Sequence, residues 1–331
     1  MKKKLQNMVK HDMFTLVLTL LVVCIAMTVL SDKFLTAGNL INVLRQSSQF
    51  GIMAIGMTML ILLGGIDLSV GSVQALAGVA AVWVLKSTNS VALAVLTGIA
   101  VGALIGVVNG LIITKMKITP LICTLGTMSI ISGIALILTK AVSIQVQNAQ
   151  YAFIGSGRVL GIPVPLIIMV VLVAVFFFVL NYTTFGRYIY AIGGNPAAAR
   201  LAGIPVDRIT LTAYVLSGCL TGLAAVILSS RLGSGQPTAG SGSEMTVIAA
   251  VIIGGVSLSG GKGSLLGAII GVITLYVLTN GMVLLNVSSF WQDVMRGMLI
   301  ILAVFIDLKR NERSAKALLQ EKFRTAMTEG K

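Results

Sequence analysis

The sequence predicts an all-α protein, a polytopic helical bundle that crosses a membrane about ten times. Three observations carry this. Of 331 residues, 56% are hydrophobic and only 10% charged, where a soluble domain carries about 25% charged residues. Mean hydropathy is +1.01. Apolar runs of spanning length recur from residue 13 to residue 307, separated by short polar segments. The formal net charge of +14 does not point to nucleic acid. The basic residues gather between and beyond the apolar runs, which is how a chain is oriented in a membrane. Membrane lipid is therefore the expected surrounding, and no nucleic-acid partner is expected.

Taken in order, residues 1–12 form a basic N-terminus with Lys2, Lys3, Lys4 and Lys10. The first span, 13–30, follows basic residues but lacks a small-residue cleavage site, so it reads as a retained helix. A polar stretch, 31–48, is expected to hold a short interfacial helix over 39–45. The second span, 49–64, is interrupted by Gly65-Ile66-Asp67-Leu68-Ser69, and the third covers 70–85. The fourth (91–114) and fifth (119–139) follow, then a longer polar segment, 140–161, and the sixth span, 163–181. A polar interruption, 182–208, separates it from the seventh, 209–230. A Gly/Ser-rich loop, 231–244, precedes the eighth, 245–258, which Gly260-Gly261-Lys262-Gly263 breaks off. The ninth (264–285) and tenth (290–307) lead to a basic tail, 308–331. Placing the N-terminus in the cytoplasm and alternating sides puts most of the 24 lysines and arginines on the cytoplasmic side, and both termini with them. Residues 13–307 then form one transmembrane domain.

The second, third and eighth spans are short. Residues 64–71 and 254–263 are thus either loops or breaks at membrane depth, where non-helical backbone must be buried in protein or line a wet cavity. In the tail, Ala315, Leu318, Leu319, Phe323 and Met327 share one helical face, which suits an interfacial helix or a solvated tail.

The interruption 182–208 contains a complete short helix with its own punctuation. Asn195 is a good N-cap, because its side-chain carbonyl accepts from an orphan N–H of the first turn. Pro196 fits the first helical position, where a missing N–H costs nothing. Ala197, Ala198, Ala199, Arg200, Leu201 and Ala202 favour helix. Gly203 suits the left-handed residue after the helix, and Pro205 blocks continuation. Two turns are marginal in water, so the helix is expected to dock on something or to be an ordinary ordered loop.

Few other residues offer chemistry. Asp67 is the acidic residue expected at membrane depth, a functional candidate by position. Alternatively it caps the helix starting near Leu68. Ser69, Asn109 and Asn280 are polar residues that either line a solute route or bond to neighbouring helices. Asp293 and Arg296 are spaced to pair on one helix. Gly102, Gly106 and Gly110 lie four apart on the fourth span, and Gly263, Gly267 and Gly271 do so at the start of the ninth. This spacing lets helix backbones approach closely, within the chain or between subunits. Cys24, Cys123 and Cys219 lie in apolar runs without metal or disulfide spacing, and His11 is the lone histidine. Gly260-Gly261-Lys262-Gly263-Ser264 fails as a phosphate loop, because Gly263 rather than Ser or Thr follows the lysine. No cofactor or nucleotide site is expected on this chain.

Several stretches together resemble the membrane permease subunit of ribose-type bacterial ABC importers. They are Gly64-Gly65-Ile66-Asp67-Leu68-Ser69-Val70-Gly71-Ser72, Phe185-Gly186-Arg187, Ala191-Ile192-Gly193-Gly194-Asn195-Pro196 and Ala202-Gly203-Ile204. Ile253-Gly254-Gly255, Ser259 through Ser264, Phe290-Trp291-Gln292 and Ile301 through Val304 with Asp307 complete the set. The resemblance implies an inner-membrane, multi-pass permease for a monosaccharide, without enzymatic activity. It implies a second permease subunit, identical or paralogous, a cytoplasmic ABC ATPase and an extracytoplasmic sugar-binding protein. The ATPase-coupling residues would be Gly186, Arg187, Gly193, Gly194, Asn195, Pro196, Ala198, Arg200 and Gly203, with Arg208 a further anchor. Gln145, Gln147, Asn148 and Gln150 would be placed to meet the binding protein. The alternative is a single-chain secondary transporter of a small polar solute. That class carries ionisable residues at mid-span for coupling, and few are placed there.

Overall fold

The computed structural model describes the backbone of residues 2–329 and the side chains of residues 13–309 and Glu312. The chain is a bundle of helices. These are α1 (Lys2–Leu30), α2 (Ala37–Leu62), α3 (Val70–Thr88), α4 (Val91–Lys115), α5 (Pro120–Thr139), α6 (Ala149–Ser156) and α7 (Val164–Tyr182). After them come α8 (Thr184–Gly194), α9 (Pro196–Leu201), α10 (Val206–Leu232), α11 (Ser243–Ile253), α12 (Leu265–Leu284) and α13 (Ser289–Glu329). Two minimal antiparallel ribbons complete the fold: β1 (Ile144–Gln145) with β4 (Ser234–Gly235), and β2 (Arg158–Val159) with β3 (Ile162–Pro163). Among the described residues, eight helices are long and apolar enough to cross a membrane.

The centre is made by α2, α3 and α10. From Ser47 to Leu62 nearly every residue of α2 is buried, and in α3 and α10 67% of the spanning window is buried. By contrast, α4, α5 and α7 turn outward large apolar side chains, among them Leu96, Leu104, Ile122, Ile137, Val171 and Phe178. Apolar residues facing out all along a helix are what a lipid-facing ring requires. At the edge, α1 packs on α12, with Cys24 and Met27 beside Phe34, Val43 and Val277.

Several expectations change. The interfacial helix over 39–45 and the second span are one helix, α2, because no residue from Ala37 to Leu62 breaks the hydrogen-bond ladder. The tenth span and the basic tail share one helical backbone in α13; the apolar face of Ala315, Leu318, Leu319, Phe323 and Met327 lies outside the described side chains. The loop 231–244 runs into the bundle. Gly235 packs on the backbone of Val79 and Gly78, and Gly240 abuts Gly71. The segment thus descends along α3 for eight residues, about 12 Å of helix. The eleven-residue α11 therefore starts inside the bundle and is too short to span alone, since a spanning helix needs about 20 residues.

The glycine stripe of α4 is used within the chain. A Cβ on Gly102, Gly106 or Gly110 would strike Gly218, Tyr214 or Leu211 of α10, and Gly98, Gly218 and Gly222 complete the seam from both sides. In the second stripe, Gly267 and Gly271 pack on Gly254, just past the end of α11, and Gly271 also on Ala250 of α11. Gly263 does not belong to it: α12 begins at Leu265, capped by Ser264, and Gly263 lies before the helix with φ 135°.

Candidate functional site

The polar interruption 182–208 folds as two helices rather than one. Thr183 caps α8, its Oγ1 accepting from the Gly186 N–H at 3.4 Å. A Cβ on Gly186 would run into the Leu180 backbone, so the sharp turn from α7 into α8 requires glycine. One face of α8 is buried through Ile189 and Ile192. Asn195 then ends α8 and caps α9: its Oδ1 accepts from the Ala198 N–H at 3.0 Å. Pro196 is the first residue of α9. Gly203 follows the helix at φ 78°, a left-handed conformation that glycine adopts without strain.

Of α9, only Ala199 is buried; Ala197, Ala198, Arg200 and Leu201 face out, Leu201 at 92% exposure. The helix is fastened at one end by Asp207, whose two oxygens pair with Arg200 at 3.1 Å and with Lys117 of the α4–α5 turn at 2.9 Å. Arg200, although exposed, is therefore tied to its own chain, and Arg187 and Arg208 are exposed as well. Asp207 is not among the residues singled out from the sequence, although an acidic residue in the first turn of a helix that follows a proline is a helix-start signal.

The elbow between α8 and α9 sits on both glycine-rich breaks. The Gly261 N–H donates to the Leu62 carbonyl at 2.8 Å, so residues 254–263 and the end of α2 touch directly. Gly193 fits between them: a Cβ there would overlap the Leu62 carbonyl and lie 2.5 Å from the Gly261 nitrogen. A Cβ on Gly261 would come within 2.7 Å of the Gly194 nitrogen. Tyr190 adds a side-chain tie, its hydroxyl donating to the Gly263 carbonyl at 3.2 Å, and burial raises this phenol above its ordinary range. Three motifs distant in sequence thus share one backbone junction.

Each break has its own carboxylate. In the first, Asp67 Oδ1 accepts from the Ser69 N–H at 2.8 Å and the Ser69 hydroxyl at 2.6 Å. Asn109 of α4 donates to Ser69 Oγ at 2.9 Å, and Tyr214 of α10 donates to the Ile66 carbonyl at 3.3 Å. All three of Asp67, Ser69 and Asn109 are buried. Asp67 therefore closes the turn before α3, whose N-cap position is Ser69, and does not cap a helix at Leu68. In the second break, Asp307 of α13 takes the corresponding role: its Oδ2 accepts from Ser257 Oγ at 3.1 Å and the Leu258 N–H at 3.2 Å. Asn280 is not part of this assembly. It exchanges two hydrogen bonds with Asn39, at 2.9 and 2.7 Å, clipping α12 to α2. Asp293 and Arg296 pair at 3.2 Å. Asn148 caps α6 and donates to Asn89.

A bundle with a lipid-facing ring and glycine-rich breaks between its helices defines a class: a polytopic membrane protein of the permease type. The family model for branched-chain amino acid transport system permease components matches residues 39–304, and the chain belongs to this family. It is 43% identical over 88% of its length to the ribose import permease protein RbsC of Escherichia coli K12, covering 92% of that protein. It is 45% identical over 89% of its length to RbsC of Bacillus subtilis, again covering 92%. The L-arabinose transport system permease protein AraH of E. coli K12 is 39% identical, with 92% of each chain covered. No solved structure matches. The chain is thus a permease component of a bacterial inner-membrane ABC transporter and not an enzyme.

Proposed function

We propose that this chain forms the translocation pathway of an ATP-driven monosaccharide importer, with ribose and arabinose, the sugars in its relatives' names, as first candidates. ATP hydrolysis takes place on a separate ATPase that seats on α9. The observation that carries this is the junction at Gly193. An exposed helix is joined without slack to the end of α2 at Leu62 and to the break between α11 and α12 at Gly261, so a push on α9 reaches both interruptions as a rigid-body movement. A helix exposed on all sides but one, in a chain without a nucleotide motif, fits a docking element for a motor on another chain.

The charge distribution supports a topology in which α9 and both termini are cytoplasmic. In this topology residues 1–12 and 308–331 flank a transmembrane domain of 13–307, and α2 and the half-length α11 join the eight long helices to give ten membrane segments. Importers of this kind pair two permeases, and an extracytoplasmic binding protein delivers the sugar to the face bearing residues 145–150.

Purification from the native membrane in mild detergent, with identification of partners and an ATPase assay, tests the reading. A co-purifying ATPase stimulated by a sugar-loaded binding protein is the expected result. A single chain that moves solute under an ion gradient without ATPase would make it a secondary transporter instead.

A further inference from the structure

Gln74, on α3, is 1% exposed, and neither its Nε2 nor its Oε1 has a hydrogen-bond partner among the described residues. A buried carboxamide offers two donors and a two-lone-pair acceptor. Leaving all of them unmet in the centre of a bundle is costly, so a side chain that serves only packing has no reason to be glutamine there. Gln74 borders a small gap of about 10 Å³. Its far wall is α10, with Ala225, Leu228 and Ser229, and its roof is the descending segment, with Ser234, Gln236 and Ala239. Gln236 Nε2 donates to Ser234 Oγ at 3.1 Å, and Ser229 Oγ lies 2.7 Å from the Tyr151 hydroxyl. The lining is thus two carboxamides and two hydroxyls among apolar residues, with no charged side chain.

We propose that Gln74, with Gln236 above it, is a contact site for an uncharged polyhydroxylated solute inside the bundle. Neighbouring hydroxyls of such a solute both donate and accept, which is what a carboxamide pair matches. The uncharged lining selects against phosphorylated or carboxylated solutes, which need a cationic partner. As it stands the cavity has room for about one water, so a sugar reaches Gln74 only when the roof moves. The roof is held at its outer end by a two-residue ribbon, Ile144 opposite Gly235 and Gln145 opposite Ser234, and below by Gly240 against Gly71. This inference rests on the importer reading above and names the residues of its pathway that touch the solute.

The test uses the permease reconstituted in vesicles with its ATPase and binding protein, and radiolabelled ribose and arabinose as probes. Gln74→Leu keeps the shape and removes the hydrogen-bonding groups. It is expected to melt at the wild-type temperature or above, to retain ATPase stimulation by the loaded binding protein, and to lose at least tenfold in the rate of uptake. Gln74→Asn is expected to restore part of the rate and to alter the ribose-to-arabinose ratio, which a packing role would not move. Wild-type uptake and an unchanged ratio in Gln74→Leu would overturn the assignment and leave Gln74 as a water-bonded structural residue. Should that variant not accumulate, Gln236→Leu on the half-buried roof decides: slowed uptake supports the site, and normal uptake overturns it. If the wild-type chain purifies without an ATPase and moves solute under an ion gradient alone, the importer reading falls and this assignment with it.

Discussion

At Asp67, one carboxylate oxygen gathers the N–H and the hydroxyl of Ser69, and Asn109 ties that hydroxyl to α4. The role is acceptance of hydrogen bonds, so a neutral acceptor of the same shape suffices. Asp67→Asn is expected to retain near-normal amounts of folded protein and near-normal uptake. Asp67→Ala strands buried donors and is expected to lower stability by about 1–3 kcal/mol, read as a lower melting temperature in detergent. Equal losses in both variants would show instead that the charge itself matters. Gly193 acts by having no side chain. Gly193→Ala places a methyl against the Leu62 carbonyl and pushes the α8–α9 elbow off the two breaks. The expected outcome is a folded protein whose sugar uptake is strongly reduced, and normal uptake would count against close seating at this point.

The short helix α9 owes its existence to its caps and its orientation to its neighbours. Removing the cap in Asn195→Ala is expected to cost about 1 kcal/mol, seen as greater protease sensitivity of the 195–203 segment with the bundle intact. Its outer face is the docking surface in the proposed function. A bulky charge there, Ala198→Glu, is expected to abolish ATP-driven uptake while membrane insertion and melting temperature stay unchanged; unimpaired uptake would remove α9 as the coupling element. The Asp207 pairs are more than a third exposed on both sides, so their worth lies in aiming α9 rather than in stability, exposed pairs contributing about 0–1 kcal/mol.

Across the whole molecule, the tight seam is between α4 and α10. Glycines from both helices bring the backbones into contact along several turns, and α2, α3 and α6 pack on α10 as well. Gly106→Leu forces a side chain into the Tyr214–Val215 backbone. It is expected to cost about 1–3 kcal/mol or more and to reduce the yield of folded protein, measured by size-exclusion of the detergent extract. Full yield and activity would mean that the seam opens without penalty.

How much of this was legible in advance follows from what each feature depends on. The spans, the charge bias, the caps at Asn195 and Pro196 and the left-handed Gly203 are local properties. Hydropathy, helix propensity and backbone permissiveness act within a few residues, so the sequence alone determined them, except the second and eighth spans, whose bounds the structure redrew as α2 and the eleven-residue α11. The α4 stripe was equally visible, because spacing by four is a property of one helix; its partner on α10 was not. Tertiary structure alone decided that the breaks at 64–71 and 254–263 meet at Gly193, that Asp307 serves a turn about 50 residues earlier in the chain, and that the Gly/Ser-rich segment descends to bury Gln74. Each of these is a contact between distant segments, where backbone carbonyls and amides find partners that only the packed bundle brings within reach. A glutamine in an apolar helix has no periodic signature, and its isolation becomes visible only once its neighbours are in place.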